Sequence, residues 1–358
     1  MKYLAVLSEI FPSVNQKILL ISPPFTQLNT PYPATAYIKG FLNTKDIASE
    51  QMDLGIETIL ALFSKKGLQE MFKAASGNIE QGDANSQRIY ALRESYISTI
   101  EPVINFLQDN DPTLAHFICE RNFLPEASKF EEVEDVEWAF GSMGIRDQAR
   151  HIATLYLEDI SDLIIDVVDP YFGFSRYAER LGISANSFDN LYAELKAPSS
   201  YISELMLELL EERINSSKPT LVCFSVPFPG NLFAALKCSQ WIKAQHPEIK
   251  VVMGGGYPNT ELRSLSDARV FEFVDFITLD DGETPLTTLL SHLEGKTALS
   301  TLKRTFSLVN GIVTYCNGSL LPDVKQEKVG TPDYEGLPLK KYLSVIQLTN
   351  PMHRLWSD

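Results

Sequence analysis

Four short stretches hold the residue types from which a ligand site can be built. Val251-Val252-Met253 runs into Gly254-Gly255-Gly256-Tyr257, and Leu221-Val222-Cys223-Phe224 runs into Ser225-Val226-Pro227. Ile18-Leu19-Leu20-Ile21 runs into Ser22-Pro23-Pro24-Phe25-Thr26, and Phe276-Ile277-Thr278-Leu279 runs into Asp280-Asp281-Gly282-Glu283. Adjacent glycines let backbone approach a bound group closely. A serine hydroxyl can bond a ring nitrogen, and the acids can bond ribose or amide groups. The apolar runs have the outline of buried parallel strands. In an open parallel sheet the loops at the carboxyl ends of the strands form the ligand crevice, so the four loops are expected to converge on one site.

Each stretch also has a plainer explanation. Gly254–Gly256 can be a tight strand-to-helix turn, and Ser225 a helix cap. Asp280-Asp281-Gly282-Glu283 can be an acidic turn whose charges complement a helix dipole. Asn259-Thr260-Glu261 has the residues of a helix start. Arg263 suits a surface salt bridge, and Cys223 and Cys238 suit a core.

The chain around these stretches has 358 residues, enough for two domains or one domain with a large insert. Its formal charge is −15. An acidic surface repels phosphate backbones, which disfavours nucleic-acid binding through a basic face. No segment has the roughly 18 consecutive apolar residues needed to span a bilayer. The first nine residues, Met1 to Glu9, are too short and too soon acidic for a secretory signal. Cys119, Cys223, Cys238 and Cys316 lie far apart, as expected of reduced thiols in a cytoplasmic protein. Their spacing cannot hold an iron–sulfur cluster locally.

Residues 1–17 form a lead-in, strand one is expected over Lys17–Ile21, and a stiff proline-rich loop precedes a helix from Pro33 to about Leu42. Ser49–Leu54 is a weak second strand. From about Gly55 to Ser217 strand-like runs are nearly absent, and helical stripes cover Ile56–Phe63, Arg88–Leu107, Ala149–Val168 and Tyr201–Ile214. That length is too great for a crossover connection, so a helical subdomain is expected between strands two and three. Within it, Asp169-Pro170-Tyr171-Phe172-Gly173-Phe174-Ser175-Arg176-Tyr177 is either a packed turn or a lid over the crevice. Strict strand–helix alternation returns over residues 218–295, with strands at Thr220–Ser225, Lys250–Met253 and Asp275–Leu279 and helices from Asn231 and Glu283. Arg304–Leu308 and Ile312–Cys316 flank Asn310-Gly311, a strong hairpin signal. The tail from Thr331 to Tyr342 is turn-rich, and the last residues have neither a helix cap nor a closing strand, so the chain is expected to be a piece cut from a longer one.

Several ligands are excluded by their own requirements. The loop after strand one lacks the glycines of a dinucleotide fingerprint, and no P-loop is present. The acids follow the last parallel strand, which does not fit a receiver domain. A broad apolar crevice with small residues at the strand ends suits a large, flat, mostly neutral ligand with a tail threaded beside the sheet.

Three of these stretches carry a resemblance: Ile18 through Pro33, Gly254 through Arg263, and Phe276 through Leu286. Together they resemble the N-terminal half of cobalamin-binding radical SAM proteins. The tail Pro332-Asp333-Tyr334-Glu335-Gly336-Leu337-Pro338-Leu339-Lys340-Lys341-Tyr342 is similar to the linker leading into their radical SAM barrel. The resemblance implies an α/β, Rossmann-like parallel sheet of the cobalamin-binding type with a large all-helical insertion. Residues 1–55 and 218–330 would form the cobalamin domain, 56–217 the helical insertion or cap, and 331–358 a linker toward the barrel.

The resemblance further implies that Ser225 and Gly254-Gly255 line the slot for the dimethylbenzimidazole tail and that Pro23, Pro24, Phe25 and Thr26 face the corrin. Asp-x-His-x-x-Gly after strand one is absent, and His116, His151, His246, His292 and His353 all lie away from the strand-end loops. The cobalamin is therefore expected base-off and without a histidine ligand. Cys-x3-Cys-x2-Cys is also absent, so the [4Fe–4S] cluster and S-adenosylmethionine are expected only in a C-terminal half outside this chain. The expected partners are a corrinoid, the radical SAM barrel in cis and an unidentified substrate, with no nucleic acid and no membrane. Two rival functions remain open: a Rossmann-like regulatory or protein-interaction module without a corrinoid, and a nucleotide-sugar- or flavin-binding enzyme using the same crevice.

Overall fold

The computed structural model describes residues 16–131, 144–174 and 188–346. Most of the lead-in, Ser175-Arg176-Tyr177 of the aromatic loop, and residues 347–358 lie outside them. The described residues form one sheet of seven strands: β1 (Ile18–Ser22), β2 (Ser49–Asp53), β3 (Leu221–Ser225), β4 (Lys250–Gly254), β5 (Phe276–Thr278), β6 (Thr305–Val309) and β7 (Ile312–Cys316). Their order is β2-β1-β3-β4-β5-β6-β7. The first five strands are parallel, while β6 and β7 are antiparallel and extend the edge. Asn310 and Gly311 both have positive φ, 50° and 78°, as a tight hairpin turn requires. This is a Rossmann-like α/β fold.

Helix α1 (Ala34–Asn43) connects β1 to β2. Between β2 and β3 the described residues contain α2 (Leu54–Leu62), α3 (Lys65–Ala75), α4 (Ala84–Ala91), α5 (Arg93–Leu107), α6 (Leu114–Cys119), α7 (Gly144–Val167), α8 (Asp189–Lys196) and α9 (Tyr201–Ser217), and no strand. The stripe expected over Arg88–Leu107 is two helices, meeting at Leu92. Then come α10 (Leu232–Gln245), α11 (Gly256–Glu261) and α12 (Glu283–Leu293). No described helix is long and apolar enough to cross a membrane.

Side chains alternate between the two faces of a strand, and both faces here are buried. Leu19, Ile21, Val222, Phe224, Val251, Met253 and Ile277 join the core shared with α10 and the helices between β2 and β3. Ile18, Leu20, Leu221, Val252 and Phe276 pack on the other face with Leu42 of α1 and Leu286, Leu289 and Leu290 of α12.

The tail lies docked across one edge of the fold. Strand β2 has a polar sequence, yet Gln51 is buried because its amide donates to the carbonyls of Asp333 (2.8 Å) and Glu335 (2.9 Å). Lys39 of α1 pairs with Asp333 at 2.9 Å and donates to the Glu335 carbonyl at 3.0 Å. Asp53 ends β2 and caps α2 by accepting the Ile56 N–H at 3.1 Å; its other oxygen accepts the Tyr342 hydroxyl at 2.6 Å. Leu343 is fully buried, and the N–H groups of Leu343 and Ser344 donate to Leu28 and Leu107 carbonyls, each at 2.7 Å. Burial pushes the Asp53 carboxyl above its ordinary range, against the pull of its hydrogen bonds from Tyr342 and the backbone of Ile56 and Gly55.

A second buried carboxylate, Asp159 of α7, accepts N–H groups from Ala127 (2.9 Å) and Lys129 (3.0 Å) and the Tyr96 hydroxyl (3.4 Å). Burial pushes it up to about 6.

Replacing Tyr342 with Phe removes the hydroxyl and leaves a buried Asp53 oxygen unpaired, a loss of about 1–3 kcal/mol. A urea midpoint unchanged in Tyr342→Phe would show that the tail contributes nothing through this bond. Asp159 has a folded-state pKa of about 6 against an ordinary 3.8. Its contribution is therefore fully present below the lower value and is lost as pH rises through the upper one. The stability of the wild type relative to Asp159→Asn should increase as pH is lowered through that window, measured by melting temperature.

Candidate functional site

A cleft of about 310 Å³ opens at the carboxyl end of the sheet, on the face covered by α1 and α12. Its floor is Leu20, Cys223 and Val252, which stand side by side across β1, β3 and β4. Two residues further along, on the same face, Ser225 pairs in register with Gly254, and continuing the β4–β5 register places Thr278 opposite Gly254. Thr35 and Ile38 of α1 and Leu286 of α12 line the sides. Ala34, Tyr37, Phe224, Gly255, Gly256, Asn259, Asp280, Asp281, Gly282 and Glu283 complete the lining.

Eight of the expected site residues therefore come together: Ser225, Gly254, Gly255, Gly256, Asp280, Asp281, Gly282 and Glu283. Val226, Pro227 and Tyr257 do not line the cleft; they are buried behind it. The Val226 N–H donates to the Gly254 carbonyl at 2.7 Å, and the Tyr257 N–H donates to the Val226 carbonyl at 3.0 Å. These bonds join the β3 and β4 loops directly.

The β1 loop corrects the expectation of four converging loops. Ser22, Pro23, Pro24, Phe25 and Thr26 are all buried and none lines the cleft. Phe25 meets Phe172 edge-on at 5.8 Å, Phe172 meets Phe174 at 5.6 Å, and Phe174 meets Phe63 at 5.5 Å. The Pro23 carbonyl accepts the Asn231 side-chain amide at 3.2 Å. Two apolar stretches that each had a ligand-facing interpretation bury each other instead. The described part of the aromatic loop is thus a packed turn, and α1 supplies the fourth side of the cleft.

The glycines have separate reasons. Gly255 has φ +110°, and a Cβ there would lie 2.7–2.9 Å from Val226 backbone atoms. Loop packing alone excludes a side chain. A Cβ on Gly254 would lie 2.8 Å from the Thr278 hydroxyl oxygen, so its bareness makes room for that hydroxyl at the cleft. Asn259-Thr260-Glu261 ends α11; the helix begins three residues earlier, at Gly256.

The acids at the mouth divide similarly. Asp280 pairs with Arg263 and, at 3.2 Å, with Arg304, which also holds Asp323 at 2.7 Å. Its N–H donates to the Asn259 side chain at 2.5 Å. Asp280 is a structural tie, and Arg263 is the salt-bridge partner that its exposed position favours. Ser225 caps no helix: α10 begins after Asn231 with no side-chain cap. The Cys223 thiol sits among apolar groups, where burial pushes it up to about 12, so it is a neutral part of the floor.

Thr35 and Thr278 were missed from sequence. Thr278 is the last residue of β5, on the face of Phe276, and strand alternation was the signal that could have found it. Thr35 needed the packing of α1 against the sheet. None of the described histidines lines the cleft, and the described residues hold no group of three metal-ligating side chains. No protein-family model, curated protein or solved structure matches this chain.

Gly255→Ala should destabilise the fold by about 1–3 kcal/mol, because the new methyl meets backbone at a positive φ. Thermal melting with no ligand present checks this; an unchanged melting temperature would free Gly255 from its assigned packing role.

Proposed function

We propose that this chain is a cobalamin-binding module whose cleft receives the planar base of the corrinoid's lower tail. One observation carries this reading: the ends of β3 and β4 present Ser225 and bare Gly254-Gly255 on a single apolar-floored cleft. Small-molecule pockets span roughly 300–1,000 Å³, and about 310 Å³ admits a fused heterocycle but not a corrin. The corrin would rest outside the mouth. The Ser225 hydroxyl would meet a ring nitrogen, the base would lie on Gly254 and Gly255, and Leu20, Cys223, Val252 and Leu286 would exclude water. Asp281 and Glu283 would accept from ribose hydroxyls.

A base held in the cleft would keep the corrinoid base-off, and no described histidine lines the cleft to take the base's place. The corrinoid would supply methyl-carrying or radical-assisting chemistry, and the chain's own residues would position and shield it. In this proposal the helices of residues 56–217 are an insertion that closes the β1 side of the sheet. The [4Fe–4S] cluster, S-adenosylmethionine and the substrate belong to a radical SAM barrel continuing in cis beyond the docked tail.

One observation favours the rival without a corrinoid. At the β1–β3 boundary, where the strand order reverses and α/β folds commonly bind ligands, the β1 loop is packed against Phe172 and tied to Asn231 through the Pro23 carbonyl, so it offers no open surface to a corrin. A Rossmann-like protein-interaction module would have such a packed loop. Gel filtration after incubation with hydroxocobalamin separates the readings. Corrin absorbance with a base-off spectrum should co-elute with the protein. Colourless protein would favour the interaction module, and retained yellow flavin a flavin-binding enzyme.

A further inference from the structure

The slot over Gly254 has a hydroxyl on each side. Ser225 on β3 and Thr278 on β5 flank Gly254 on β4, all at the cleft. Neighbouring strands lie about 4.8 Å apart, so the two flanking backbones are ~10 Å apart. The Thr278 hydroxyl leans over Gly254, since a Cβ there would lie 2.8 Å from it. Neither hydroxyl has a protein partner among the described residues. Across the cleft, the Thr35 hydroxyl of α1 is buried and also lacks a partner. Polar groups buried by a ligand cost about 1–3 kcal/mol when left unpaired. A group filling this slot must therefore offer hydrogen-bonding atoms at both edges.

Dimethylbenzimidazole offers a ring nitrogen at one edge and only methyl groups at the other. A purine such as adenine offers nitrogens on both rings and an exocyclic amine. We infer that the cleft prefers a purine-type base, and that Thr278 is the residue that sets the preference by bonding the edge opposite Ser225. As a statement about a corrinoid's lower base, this rests on the function proposed above; as a statement about the slot, it holds for any riboside.

The test uses calorimetric titration of the full chain with four probes: an adenine-tailed corrinoid, cobalamin, and the free α-ribosides of adenine and dimethylbenzimidazole. The wild type should bind the adenine member of each pair about tenfold more tightly, the value of one hydrogen bond. Thr278→Val, which keeps the side-chain shape, should lose that preference by weakening the adenine member alone. Thr278→Ser, which keeps a hydroxyl, should retain it and guards against a Val variant that fails to fold.

Equal binding within the riboside pair, a preference for dimethylbenzimidazole, or a preference that survives Thr278→Val overturns the inference. So does a failure of both ribosides to bind. If neither corrinoid binds while the ribosides rank as expected, the corrinoid function falls and the base preference stands. If both corrinoids bind with equal affinity, the function stands and the base preference falls.

Discussion

The central strands of a parallel sheet must be covered on both faces, and this requirement decides where the molecule can be open. One face of β1, β3 and β4 is sealed by α10 and the helices between β2 and β3. The other is sealed only partly, by α1 and α12, whose apolar residues meet the sheet through Leu42, Leu286, Leu289 and Leu290. Toward the carboxyl ends of the strands these two helices leave a cleft with Leu20, Cys223 and Val252 at its floor. The cleft is the unsealed part of a layer that is otherwise closed. Its floor is apolar because it continues the core.

The edge of the sheet is held differently. Asp53 serves three elements at once: it ends β2, caps α2 and accepts the Tyr342 hydroxyl. A buried carboxyl is stable only when hydrogen-bonded, and here its partners come from both ends of the described chain. The polar sequence of β2 becomes intelligible in this light. Gln51 and Asp53 face the returning tail, and α1 adds Lys39 to Asp333. These contacts connect the tail to the helix that forms one side of the cleft.

Strand existence was legible from sequence because buried parallel strands are short apolar runs ended by small residues. Ile18–Ser22, Leu221–Ser225 and Lys250–Gly254 each end within one residue of expectation. The hairpin was legible from Asn310-Gly311. The cleft was half legible. Gly254 and Ser225 were visible because strand ends are visible, and Thr278 was not singled out because its strand-mates' glycine and acids drew attention to the loop beyond it. The burial of Phe25 was not legible, since it depends on Phe172, which is far away in sequence. The docking of Thr331–Tyr342 was hidden for the same reason: turn-rich composition is shared by free linkers and by tails pinned through backbone carbonyls.

Charge sharpens the choice among ligands. The described arginines beside the mouth, Arg263 and Arg304, are already paired, with Asp280 and Asp323. Asp281 and Glu283 add negative charge where a ligand would enter. A dinucleotide brings a pyrophosphate with two charges and would meet that rim with repulsion and without a guanidinium to bond. A ligand whose buried part is neutral and whose outer part presents amides and sugar hydroxyls meets acceptors instead. A corrinoid has that character, with a single phosphodiester charge among many donors. An acidic mouth over an apolar slot lined by unpaired hydroxyls thus argues against the nucleotide enzyme on electrostatic grounds, independently of the glycines missing after β1.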